Sequence, residues 1–395
     1  MRSGQFIPTG GQTIVEPRAL CALTSRGIAC PDPSNSRANA ASAKGFDRVG
    51  GVVRCRSSRP WLNMLKLRGR PTMRERILGR TGWPVSEIGY GMWGLAGWTG
   101  SDDRESLDSL RKSVELGCTF FDTAWGYGAG HSERLLGEVV LEFPGGKLYV
   151  ATKLPPKNFT WPSRRSFALE DCFPPEHIRE YAEKSLTNLG VPTIDLLQFH
   201  VWQDAWANDE RWQRAADDLK REGLVRAFGV SVNRWEPENV LDTLRTGQID
   251  AVQVIYNIFD QAPEDVLFPL CRELNVGVIA RVPFDEGTLT GNLTKDATWP
   301  AGDWRGTYFV PENLNASVDR AEALRPLVPP GMTMAELALR WILQNPDVST
   351  VIPGMRKLKN VEANTSVSDG RVLDPALMDA LRGHRWDRRP TGWSQ

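Results

Sequence analysis

The stretch FFDTAWGYGAGHSERLLG, residues 120–137, decides the fold. An apolar run enters Asp122, and Tyr127 follows five positions later in a glycine-rich bend. Ser132 and Leu135 then open an apolar pattern at helical spacing. A short buried strand, a bend and a helix are expected, with an ionisable pair on the rim between them. Strand-then-helix succession of this kind builds parallel sheets.

The same succession repeats in both directions from this stretch. VSEIGYGMWGL (85–95) precedes DRESLDSLRKSVELG, LYVATKL (148–154) precedes EHIREYAEKSLTNLG, and IDLLQFHV (194–201) precedes DERWQRAADDLKREG. VRAFGVSV (225–232), DAVQVIYNIF, VGVIARVPF and STVIPGM each lead into a further helical pattern. The short runs are β-branched and aromatic, whereas the longer ones carry apolar residues at helical spacing and often end at Gly or Asn. Eight such units point to an α/β fold of the (β/α)8 type, a TIM barrel, rather than an open doubly wound sheet. One irregular loop is expected after strand seven, from Asp285 to about Gly331. It carries Trp299, Trp304, Tyr308 and Phe309, and a loop of that length is more often functional than decorative.

Residues 73–395 hold this pattern, and residues 1–72 do not. The leader is rich in Gly, Ser, Pro and Arg, with ten Arg and two Lys against Glu16, Asp32 and Asp47, a surplus of +9. It reads as disordered, either an organelle transit peptide or an over-extended start with Met73 as the first residue. Since the whole chain of 395 residues is formally neutral, the remainder is mildly acidic, which argues against nucleic acid as a partner. No apolar run approaches the roughly 18 residues of a membrane span. Six scattered cysteines and four histidines show no metal-ligand spacing, so no metal is expected and reduced, cytoplasmic thiols are the default.

In a barrel, catalytic groups gather at the C-terminal ends of strands. Asp122 ends strand two, Lys153 ends strand three in VATKL, and His200 ends strand four in LLQFH, with Tyr127 in the loop above. Singly, each has an ordinary structural reading as a cap, a solvated lysine or a core histidine. Four ionisable side chains from three consecutive strands, each after an apolar run, converge on one rim.

These motifs resemble the aldo-keto reductase family over about residues 74–370. FFDTAWGYGAGHSERLLG is similar to its signature around a catalytic Asp and Tyr, and Lys153 and His200 occupy its other two catalytic positions. The insertion PPKNFTWPSRRSFALEDCF lengthens the Lys153-to-His200 stretch and is expected in a loop that leaves the barrel undisturbed. The resemblance implies hydride transfer from NADPH to an aldehyde or ketone. Negative charge grows on the carbonyl oxygen, and Tyr127, with an ordinary pKa of about 10, gives it a proton. Lys153 is expected to bring that pKa down, Asp122 to fix Lys153, and His200 to orient the carbonyl oxygen.

No convincing Rossmann fingerprint is present, since GYGAG lacks the third glycine. The resemblance instead implies that Ser231 and Gln253, with Asp122 nearby, hold the nicotinamide carboxamide. Arg281 stands where many members stack a Tyr, and could lie flat on the nicotinamide or reach the pyrophosphate. IPGMRKLKNVEAN resembles the adenosine-phosphate segment, with Gly354 and Arg356 suited to the phosphate and Asn360 and Asn364 to the adenine. Val232 stands where the family commonly has Asn, with Asn233 one place later, and Ala363 stands where a Glu is frequent. Trp93, Trp125 and Trp202 are expected to wall the substrate pocket. A cytoplasmic, monomeric or weakly oligomeric NADP-dependent reductase of a small carbonyl compound is the resulting expectation. The first rival is an NADP(H)-binding, redox-sensing regulatory subunit with slow turnover, and the second a lyase or isomerase on the same barrel, which would leave Ser231, Gln253 and Arg356 without a role.

Overall fold

The structure, a computed structural model, describes residues 73–97 and 100–394. The basic leader read from residues 1–72 lies outside them. The described residues begin with an antiparallel hairpin of β1 (Glu75–Ile77) and β2 (Pro84–Ser86). Eight parallel strands follow in sequence order: β3 (Tyr90–Gly91), β4 (Phe120–Asp122), β5 (Tyr149–Leu154), β6 (Ile194–Phe199), β7 (Val225–Ser231), β8 (Ala251–Ile255), β9 (Gly277–Arg281) and β10 (Val348–Val351).

The sheet closes on itself. Parallel bridges join Ile88 to Val351 and Gly91 to Gly354, and Gly89 N–H donates to the Val351 carbonyl at 2.8 Å. The result is the (β/α)8 barrel expected from the eight repeats. Closure leaves no unpaired edge strand.

Strand periodicity then sorts the side chains. Phe120, Ala151, Leu196, Ala227, Ala251 and Ile279 fill the interior, where Leu78, Trp83 and Val85 of the hairpin region join them. Their neighbours Phe121, Val150, Leu197, Phe228, Val252 and Val278 face outward, into the larger core shared with the helices. Those helices are α1 (Asp103–Glu115), α2 (His131–Glu142), α3 (Leu169–Cys172), α4 (Pro175–Leu189), α5 (Glu210–Arg221), α6 (Leu241–Arg245), α7 (Leu267–Leu274), α8 (Trp304–Tyr308), α9 (Pro311–Leu324), α10 (Met334–Leu343), α11 (Leu358–Thr365) and α12 (Pro375–Arg382). The Asp102 carboxylate caps α1 by accepting from Glu105 N–H at 2.9 Å. No helix among the described residues is long and apolar enough to cross a membrane.

The segment from Asp285 to Gly331 is not one irregular loop. It contains α8 and the 14-residue α9, which starts with Pro311 at its first position and buries Leu314, Val318, Ala321 and Leu324. Apolar spacing of three and four was present in that stretch. The Gly and Pro residues flanking it masked a helix that packs.

Gly91 sits at the closing seam, where a Cβ would lie 2.6 Å from the Ile352 carbonyl oxygen. Backbone on both sides of the seam cannot yield without breaking its hydrogen bonds. Gly91→Ala is therefore expected to lose about 1–3 kcal/mol of unfolding free energy. An unchanged urea midpoint would mean that the seam does not hold the barrel shut.

Candidate active site

Period two in each strand selects what reaches the interior at the C-terminal end. Two residues beyond Phe120, Ala151, Leu196, Ala251 and Ile279 stand Asp122, Lys153, Gln198, Gln253 and Arg281, and Ser231 lies four beyond Ala227. Six of the eight strands, β4 to β9, thus contribute an inward position near their C-terminal ends to one rim.

At the centre is a buried ion pair. Lys153 Nζ donates to Asp122 Oδ2 at 2.5 Å, to the Thr123 carbonyl at 2.9 Å and to the Tyr127 hydroxyl at 3.3 Å. Only 1% of the Lys153 side chain and 3% of that of Asp122 are exposed. All three ammonium donors are used. Asp122 Oδ1 accepts from Gln198 Nε2 at 2.9 Å and from Gln253 Nε2 at 2.8 Å, and Gln253 also donates to Gln198 Oε1 at 3.2 Å. Gly229, paired in register with Gln198, leaves the space that this amide fills, since a Cβ there would lie 3.0 Å from Gln198 Cγ.

Electrostatics follow from this enclosure. Burial alone would lower the pKa of Lys153, but Asp122 and then Tyr127 outweigh it and hold the ammonium above its ordinary value. Burial raises the Tyr127 phenol, and Lys153 opposes the rise without overcoming it. This corrects the expectation that Lys153 brings the phenol down. His200 stands beside Tyr127, with ring centroids 5.7 Å apart. Burial, then Lys153 and Arg281, push its pKa well below the ordinary value, so the ring is neutral. Its Nδ1 is buried with no hydrogen-bond partner among the described residues.

These groups open into a cleft of about 700 Å³ lined by Trp93, Asp122, Tyr127, Trp161, His200, Gln253, Arg281, Trp304, Gly354, Arg356 and Asn360. A contiguous pocket of about 260 Å³ adds Ser231, Val232, Asn233 and Ser394 to Tyr127, His200, Arg234, Gln253 and Arg281. Ser231 and Gln253 are register partners across β7 and β8. Asn364 is buried one helical turn beyond Asn360 and does not line the cleft. Among the described residues no cluster of His, Cys, Asp and Glu is arranged to hold a metal.

Two of the expected substrate walls lie elsewhere. Trp202 is fully buried in the outer core, where its indole N–H donates to Thr243 Oγ1 at 2.8 Å. Its position just after a strand end suggests the rim, but the chain turns it into the outer core instead. Trp125 packs edge-on to Tyr181 with centroids 4.7 Å apart, against α4 rather than the cleft. Trp161 replaces them. It stands at 5.7 Å from the His200 ring, carried there by the insertion after Lys153. The insertion does more than lengthen a loop: its Ser163 donates to the Trp202 carbonyl and accepts from Asn233 Nδ2. Asn233 is committed to this loop anchor. Of the aromatics in 299–309, only Trp304 lines the cleft; Trp299, Tyr308 and Phe309 lie behind it in a small cluster that also holds Trp304 and Trp393.

Comparison with known proteins agrees with this geometry. Residues 87–385 match the model of the aldo/keto reductase family. An NADH-specific methylglyoxal reductase of Escherichia coli is 30% identical over 317 residues, 76% of this chain and 95% of that one. The structure of a glycerol dehydrogenase from Gluconobacter oxydans superposes with a TM-score of 0.66 at 29% identity, covering 78% of this chain and 94% of the other. The holo form of an aldo-keto reductase from Bacillus halodurans gives a TM-score of 0.64 at 26% identity over 82% and 100% of the two chains. Family model, relatives and fold coincide on the same barrel, and the chain belongs to the aldo/keto reductase family.

Proposed function

We propose that the chain reduces an aldehyde or ketone with NADPH, using Tyr127 as the proton donor. The observation that carries this reading is the buried Asp122–Lys153–Tyr127 chain of contacts opening beside His200 into an aromatic cleft. The site suits a nicotinamide: Ser231 and Gln253 pair in register where a carboxamide needs partners, and buried polar atoms of His200 and Arg281 await a ligand. Ser231, Gln253 and Asp122 would hold the carboxamide end, and Gly354, Arg356 and Asn360 the phosphates and adenosine, with Asn364 behind them. When bound, the reduced nicotinamide supplies the hydride for the carbonyl carbon.

The side chains do the rest. The Tyr127 phenol, raised by burial, keeps its proton until negative charge grows on the carbonyl oxygen. Lys153 then faces the phenolate left behind, which is why its own charge is fixed by Asp122. His200, neutral, can donate an N–H to the same oxygen and orient it. Trp93, Trp161 and Trp304 exclude water from the cleft mouth and favour a substrate with apolar surface. A monomeric or weakly oligomeric cytoplasmic enzyme fits the composition.

A second reading, NADH as the cofactor, is favoured by the E. coli relative, named for its NADH specificity. Arg356 separates the two. It is partly exposed on the cleft wall against Gly94, before the start of α11. A charge-assisted contact to a 2′-phosphate is worth about 1.5–3 kcal/mol, so Arg356→Ala should weaken NADPH by roughly ten- to a hundredfold and spare NADH. Equal losses for both cofactors would assign Arg356 to the shared pyrophosphate.

Tyr127→Phe should keep cofactor affinity while turnover with a reactive aldehyde falls by about 10²–10⁴-fold. Retention of a tenth of the activity would remove Tyr127 from the mechanism. The pH profile follows from the same shifts. Protonated Tyr127 is the active form and its pKa is raised above the ordinary phenol value, so kcat should show no alkaline fall below about pH 10. His200 is already neutral and should add no limb near about pH 6.5. An acid limb there that disappears in His200→Gln would contradict the assignment.

The pocket wall is tested by a pair of variants. Trp161→Ala should raise KM about tenfold, the loss of one large apolar contact, with the melting temperature unchanged. Trp202→Phe should do the reverse, lowering the melting temperature with KM intact. A KM change confined to Trp202→Phe would restore that residue to the pocket.

A further inference from the structure

Charge around the inner pocket is uneven. Lys153 is neutralised by Asp122 at 2.5 Å, and Arg234 by Glu286 at 2.6 Å. Arg281, at the end of β9, makes no ion pair among the described residues. Its Nη2 donates to the Val232 carbonyl at 2.9 Å, and its Nε is buried without a hydrogen-bond partner among the described residues. Burial, and then the neighbouring Arg234, depress its pKa to about 10, which leaves it charged at neutral pH. An unbalanced guanidinium therefore faces the same small pocket as Ser231, Gln253, Tyr127 and His200.

We propose that Arg281 makes the pocket select the redox state of the nicotinamide, binding the reduced form in preference to the oxidised one. The inference rests on the reading that Ser231 and Gln253 hold the carboxamide, which brings the ring into the pocket that Arg281 lines. Reduced and oxidised cofactors carry the same phosphates and adenosine. They differ in the ring, which is neutral when reduced and carries one positive charge when oxidised. Contacts to the phosphates and adenosine cancel in the comparison. Of the charges that act on the oxidised ring, those of Lys153 with Asp122 and Arg234 with Glu286 are paired and largely offset each other, which leaves Arg281. Any two like charges brought to within about 6 Å at an effective dielectric constant near 20 would repel strongly enough for a roughly hundredfold difference in affinity. Access of solvent to the cleft brings this toward tenfold. A guanidinium can also lie flat against an uncharged ring.

Turnover creates that charge in place. The hydride takes two electrons from the ring to the carbonyl carbon, the C=O π bond breaks, and the oxygen receives the Tyr127 proton. The ring is left cationic beside Arg281, and Tyr127 is left as a phenolate that Lys153 and Arg281 both favour. The oxidised cofactor leaves readily, and accumulated oxidised cofactor inhibits little. The site is thereby biased toward reduction of carbonyls over oxidation of alcohols.

The test is a set of binding titrations, read by quenching of tryptophan fluorescence, with NADPH, NADP⁺, NADH and NAD⁺. They are run on the wild-type chain, Arg281→Met and Arg281→Lys. The expected result is a wild-type preference of about tenfold or more for the reduced member of each pair. Arg281→Met should narrow it to about twofold, mainly by tightening the oxidised form, and Arg281→Lys should keep most of it. Equal affinities for the two redox states in the wild type would overturn the proposal, whatever the variants do. So would an unchanged ratio in Arg281→Met, or an equal weakening of both states, which would place the guanidinium on a phosphate. Failure of the wild type to bind any of the four would sink the nicotinamide reading itself, and this inference with it.

Discussion

The site depends on one buried ion pair, Lys153 with Asp122. Taking two charges out of water costs several kcal/mol for each ion, and their mutual attraction offsets this only where the remaining donors and acceptors are also satisfied. Here they are. The ammonium spends its three protons on Asp122, the Thr123 carbonyl and Tyr127, while the carboxylate's second oxygen takes two amide donors. Neither group can be removed without leaving its partner charged in the dry interior. The pair is held by strands β4, β5, β6 and β8, so its geometry is as rigid as the barrel. Tyr127 lies above that pair in a bend and acquires its environment from it.

A second constraint acts on the opposite wall. Val282, Asp285 and Glu286 all have positive φ, a conformation that costs energy for residues with a Cβ, and strain of this kind persists where surroundings over-determine it. Three ion pairs, made by two arginines, supply the determination. Arg234 binds Glu286, and Arg388, from the segment after α12, binds both Asp260 and Asp285. The same segment brings Trp393 against Trp235 and Tyr308 and leaves Ser394 in the pocket wall. The turn that follows Arg281 is thus clamped from both sides, and Arg281 presents its charge from a stiff platform.

Barrel strands could be read from sequence because each repeats the same local signal, a short β-branched run before a helical one. Asp122, Lys153 and His200 stood out as polar residues closing apolar runs, and Tyr127 as an aromatic in a glycine bend. Gln198 carried the same signal, two residues before His200 and on the inward parity, but an uncharged amide drew no attention. Its importance comes from Asp122, which is distant in sequence. Trp202 misled for the converse reason: a residue just past a strand end can turn toward the rim or under the helices, and local pattern does not say which. Trp161 and the Arg388 clamp were invisible, since they depend on where an insertion and a terminal segment come to rest. Helix α9 was legible in its spacing and was lost among flanking Gly and Pro.

The central claim, that the buried pair exists to serve Tyr127, is tested most directly by single-turnover reduction in Lys153→Met. The protein is preloaded with reduced cofactor and mixed with excess aldehyde, so that cofactor release does not enter the rate. Loss of the ammonium should slow the transfer by about a hundredfold or more, a penalty of the size that removal of the proton donor itself carries, while the affinity for the cofactor stays within about threefold of wild type. A Lys153→Met enzyme that is correctly folded and transfers at more than about a tenth of the wild-type rate would contradict the account.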